Sequence, residues 1–145
     1  MQKNKRGQLD ISFGMIFSII LIIIFLAFGF YAIKKFMDLQ SEVQIKQFLD
    51  DFQTFVDKIR KSNGEYSQYK DYSLPTKITS ICFQDGEFEN LKFNSKGIIR
   101  GKMIEYLDIE STLSGKDELC IPNTNGKVKF RLVKDYGETL VTITK

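Results

Sequence analysis

Cys82 and Cys120 are the two cysteines of a 145-residue chain, and the first question is what they do. Bridged, they close a loop of about 38 residues, which the chain-entropy account values at about 4 kcal/mol. That bond is chemically sensible in an oxidising compartment outside the cell. The alternative is two buried thiols that only pack, because spacing alone does not bring them together. The pair is read here as a disulfide. Two sulfurs are too few to hold a metal.

No histidine is present. Its absence removes imidazole general acid–base catalysis, Ser–His and Cys–His nucleophile pairs, and nearly all zinc and haem sites. Carboxylates, Lys and Tyr remain, but no nucleophile–base arrangement is legible, so the chain is read as a non-enzyme without a cofactor. Glu105, Asp108, Glu110, Asp117 and Glu118 make an acidic stretch. It lacks the alternating acids and central Gly of a calcium loop and reads as a solvated segment. The isolated Gly115 forms no phosphate-binding loop. The formal net charge is +3, with Lys and Arg interleaved with Asp and Glu, which argues against nucleic acid as a partner.

The elements that carry these residues begin with an apolar block. Ile11 to Ile33 contains no charge, and 15 of its 23 residues are Ile, Leu or Phe. As a helix it would span roughly 34 Å, against a bilayer core of ~30 Å. A soluble helix apolar on every side would need a larger protein around it, so membrane lipid is the expected partner. A secretory signal fits less well, because its apolar region runs to only ~7–15 residues before a small-residue cleavage site. Lys3, Lys5 and Arg6 precede the block, and Lys34 and Lys35 follow it. The positive-inside count is therefore nearly balanced. The α-amine together with Asp38 and Glu42 tips the reading toward a cytoplasmic N-terminus and an extracytoplasmic body. Gly14 and Ser18, four apart, form a small-xxx-small pair that lets a second helix approach.

The basic tip, Lys5-Arg6-Gly7, then Gln8, Asp10, Ser12 and the apolar helix together resemble the N-terminus of type IV pilin-like proteins, especially archaeal ones. The resemblance covers about the first 60 residues. It implies a leader cut between Gly7 and Gln8 by a pilin-type peptidase. It also implies assembly through the apolar helix with copies of the same chain or other pilin-like subunits. Many pilins carry Glu at the fifth mature position; Ser12 stands there in this chain, and Asp10 is the only nearby acid. An uncleaved single-pass protein presenting a small binding or accessory domain is the alternative.

Beyond Lys35 no Pro or Gly appears until Gly64. Ile45, Phe48, Leu49, Phe52, Phe55, Val56 and Ile59 recur as one helical stripe; a short coiled-coil stalk fits the same spacing. From Thr76 onward strand formers dominate. Residues 77–83 and 88–93 flank Asp85-Gly86, a two-residue hairpin signal. Residues 127–133 and 139–144 make a second hairpin. Residues 98–109 fit a strand pair or a short helix. The expected architecture is α+β: a basic leader at 1–7, an apolar transmembrane helix at 8–34, and an amphipathic continuation at 35–63. A surface loop at 64–76 then leads into a small antiparallel β head at 77–145.

Overall fold

The computed structural model describes residues 12–145. Among these, residues up to Leu39 belong to one compact unit and Gln40–Lys145 form a second. Helix α1, Phe13–Lys61, contributes to both. It starts where the Ser12 carbonyl accepts from the Met15 amide at 2.8 Å, and no Pro or Gly interrupts it beyond Gly29. A basic last turn of Lys58, Arg60 and Lys61 suits the negative end of the helix dipole. At its end the Ser62 hydroxyl and amide both donate to the Ile59 carbonyl, at 2.6 and 3.0 Å.

The first unit is helical and apolar, and nearly all of its described side chains are exposed. In the second unit, Ile45, Phe48, Phe52, Val56 and Ile59 are buried. Their three- and four-residue spacing places them on one face, and Leu49 and Phe55 flank it partly buried. The stripe is thus core, not a coiled-coil seam.

Strands β1 (Tyr66–Ser73), β2 (Ile78–Gln84), β3 (Leu91–Ser95), β4 (Glu118–Pro122), β5 (Lys127–Lys134) and β6 (Thr142–Thr144), with helix α2 (Ile109–Leu113), complete the head. They form two three-stranded antiparallel sheets, ordered β1-β5-β6 and β3-β2-β4. The α+β class, with a long N-terminal helix packed on small antiparallel sheets, is as expected, but the single sheet becomes two. Phe52 lies between them, with ring centroids 6.1 Å from Phe83 on β2 and 5.4 Å from Phe130 on β5. One continuous core joins the helix stripe to both sheets.

Three details differ from expectation. The segment read as a surface loop contains β1, paired with β5 at eight successive positions from Tyr66↔Lys134 to Ser73↔Lys127. It is an edge strand with only Tyr72 fully buried. A strand that buries so little shows weak apolar alternation. The β2–β3 hairpin forms, but not through a two-residue Asp-Gly turn. Its connection runs from Asp85 to Asn90 and is closed by the Gln84 amide on the Asn90 carbonyl at 3.0 Å. Finally, residues 98–109, for which the sequence allows a strand pair or a short helix, are mostly irregular until α2 begins at Ile109, and the unanticipated β4 follows.

Candidate functional site

The apolar half of α1 is one helix long and apolar enough to cross a membrane, and nothing in its most apolar 18-residue window is buried by the rest of the protein. Ile, Leu and Phe side chains are exposed around its full circumference: Ile22, Ile23, Ile24 and Phe25, at successive 100° steps, are each more than half exposed. A helix with no polar face and no protein partner of its own requires an apolar medium or other helices around it.

Gly7, Gln8 and Asp10 lie outside the described residues. Ser12 sits immediately before α1. Gly14 and Ser18 are brought together, and more directly than a packing motif requires: the Ser18 hydroxyl donates to the Gly14 carbonyl at 2.8 Å. That bond satisfies the hydroxyl within its own helix, which lowers the cost of placing it in lipid. At Gly14 a Cβ would meet only the Ser12 hydroxyl, at 3.6 Å. The helix itself therefore has no need of glycine there, and the small surface is available for close approach by a neighbour.

Cys82 and Cys120 form a disulfide. They stand directly opposite each other on β2 and β4, with Cα atoms 4.0 Å apart. Cys82 is fully buried and Cys120 half-buried. The bond therefore fixes β4, which sequence reading did not find, onto the centre of its sheet. Glu118 lies beside the two sulfurs, and these three form the one group of potential metal ligands among the described residues; both sulfurs are committed to the bridge. In the acidic stretch, Asp108 caps α2, accepting from the Ser111 amide at 2.9 Å and hydroxyl at 2.7 Å.

Several polar residues that hold the head together were not singled out from the sequence. Lys134 is buried, and its ammonium donates to the carbonyls of Arg60, at 3.3 Å, and Ser62. The period-two pattern Val128, Phe130, Leu132 extends to Lys134 on the same face. That signal was present. Asn90 acts as a short piece of strand, its amide donating to Ile104 O at 2.8 Å and accepting from Ile104 N at 2.7 Å. From α1, Gln53 accepts from Glu105 N at 2.9 Å. Thr112 accepts the Ile143 amide at 2.9 Å. No sequence signal marks these three, because each serves a backbone segment distant in the chain.

Concave regions on the head include the following two. A polar cleft of about 340 Å³ is lined by Gln44, Gln47, Asp51, Lys70 and Tyr72 among others. The Tyr72 hydroxyl is buried and has no hydrogen-bond partner among the described residues. Burial, reinforced by the Asp51 carboxylate, pushes this phenol well above its ordinary value. The Lys70 ammonium lies 3.4 Å from the Phe55 ring centroid, and burial holds its pKa below the usual range against the opposing pull of Asp51. A larger groove of about 550 Å³ runs between α1 and the segment after β3, lined by Glu42, Ile45, Leu49, Ile98 and Arg100 among others. Compared with known protein families, with curated proteins and with solved structures, the chain matches none of them.

Proposed function

We propose that this chain is a membrane-anchored, pilin-like structural subunit: the apolar half of α1 holds it in the membrane and mediates assembly, and the β head lies outside the cell. One observation carries the anchoring. The core, from Ile45 to Ile143, is drawn wholly from the second unit, while the apolar helix of the first is left exposed around its circumference. A segment the fold does not need, and that water opposes, is there for another medium. The pilin-like part rests on Lys5-Arg6-Gly7-Gln8 before that helix.

The disulfide supports an extracytoplasmic head, since such bonds persist in oxidising compartments. The uncleaved single-pass reading draws on a different observation: Ser12, not Glu, stands at the fifth position after Gly7. Membrane fractionation of cells making the full chain tests the anchoring and orientation. Resistance to alkaline extraction and loss of the head to protease added outside are expected. Release into the alkaline supernatant, or a head protected in intact cells and digested only after lysis, would contradict the proposal.

A further inference from the structure

The segment between β3 and α2 carries an unusual tip. Ile98 is completely exposed, at 102%, in the run Ser95-Lys-Gly-Ile-Ile-Arg-Gly-Lys102. Its neighbour Ile99 turns inward and is partly buried against the core. An aliphatic side chain held fully in water between Lys96, Arg100 and Lys102 is not explained by the packing of the head. The groove beneath adds Lys46 and Lys77. Of its charged lining, four residues are cationic (Lys46, Lys77, Arg100, Lys102) and two acidic (Glu42, Asp50). Asp50 is engaged by Lys102 at 3.7 Å.

The place of this tip in the head matters as much as its chemistry. The groove includes Glu42, near the start of the second unit, so the Ile98 tip lies beside the first turns of helix α1 within that unit. Glu42 is nine residues past Ile33, the last residue of the apolar segment. The β5–β6 turn bearing Tyr136 lies at the other end: Lys134, two residues before it, bonds to Ser62 just past the end of α1. Tyr136 is also exposed, at 77%. The Ile98 tip and Tyr136 thus lie toward opposite ends of the helix stripe within the head.

We propose that the Lys96–Lys102 segment docks the head on the surface of an anionic bilayer, with Ile98 entering the headgroup region and Lys96 and Arg100 pairing with lipid phosphates. The proposal rests on the membrane-anchored reading and goes beyond it, to an orientation of the head on the membrane. Basic side chains are drawn to an anionic bilayer surface within a Debye length of it, and an inserted aliphatic side chain adds its transfer energy. The tether makes even a weak contact effective by holding its local concentration high.

The test uses the full chain reconstituted in vesicles of phosphatidylcholine, with or without phosphatidylglycerol. An environment-sensitive fluorophore is attached to Ile98→Cys, Tyr136→Cys or Phe25→Cys under non-reducing conditions. Spin-labelled lipids then quench it at headgroup or mid-chain depth. The proposal expects headgroup quenching at position 98 that exceeds that at 136 in anionic vesicles, falls in neutral ones, and is lost when Lys96→Glu and Arg100→Glu are added. Equal, weak quenching at 98 and 136, with strong mid-chain quenching at 25, overturns the docking and leaves the anchor standing. No mid-chain quenching at 25 overturns both. Shielding at 98 that ignores lipid charge but grows with protein-to-lipid ratio assigns the tip to a second copy and overturns the proposal.

Discussion

The Lys134 ammonium donates to the carbonyl of Ser62, joining the last inward-facing position of β5 to the chain just past the end of α1. The same ammonium reaches the Arg60 carbonyl, one of the terminal carbonyls that a helix cannot satisfy internally. Lys134→Met keeps the aliphatic stem and removes the donor. The expected cost is about 1.5–3 kcal/mol, the range for hydrogen bonds to a charged group, read as a fall on the order of 10 °C in the melting temperature of the head. An unchanged melting temperature would show that water serves those carbonyls equally well.

The disulfide is predicted to be a stabilising staple. Its cysteines are 38 residues apart, so removing both with Cys82→Ala and Cys120→Ala should cost about 4 kcal/mol on the chain-entropy account. Denaturant titration of the full chain in detergent, before and after reduction, measures this. A reduced protein as stable as the oxidised one contradicts it.

Tyr72 gives an alkaline signature. Its hydroxyl is buried without a partner among the described residues, so Tyr72→Phe should stabilise the head by about 1 kcal/mol at neutral pH. The phenol is raised above its ordinary 10.0 by burial, so the folded state keeps a proton that the unfolded chain releases. Its contribution is complete below pH 10.0 and is lost as pH climbs above that. Lys70 acts in the opposite sense: its lowered pKa makes stability rise as pH approaches 10.5 from below. Stability curves from pH 8 to 12 for wild type and Tyr72→Phe should diverge above 10, with the variant losing less; parallel curves would reject the assignment.

Within the apolar helix, Gly14 and Ser18 should behave differently. The Ser18 hydroxyl is already bonded to Gly14 O, so Ser18→Ala should leave self-association in detergent or vesicles unchanged. Gly14→Ile fills surface that the helix itself does not use and should weaken close packing with a second helix. Crosslinking yield measures both. Equal yields for wild type and Gly14→Ile would remove this face from the assembly account.

What was legible in the sequence follows the strength of each periodic signal. The stripe from Ile45 to Ile59 was readable because a half-buried helix repeats its apolar residues over four turns. Strand β5 was readable because Val128, Phe130 and Leu132 alternate cleanly, and the same alternation runs on to the buried Lys134. Strand β1 was hidden because its only fully buried side chain is Tyr72. Strand β4 was hidden because only Ile121 of its residues is fully buried; its position is fixed by Cys120 opposite Cys82 and not by any repeat of its own. Asp85-Gly86 misled because a longer connection, closed onto Asn90, was compatible with the same flanking strands. The Ile98 tip has no signature in the sequence because one exposed aliphatic residue makes no pattern; only its full exposure, beside the basic groove, distinguishes it.

The most direct measurement of the central claim is the N-terminal residue of the protein recovered from its native membrane, by intact mass and terminal peptide mapping. The pilin-like account predicts a chain beginning at Gln8, cut after Lys5-Arg6-Gly7, with the apolar helix retained. A chain beginning at Met1 or Gln2 would contradict it and leave a single-pass anchored domain.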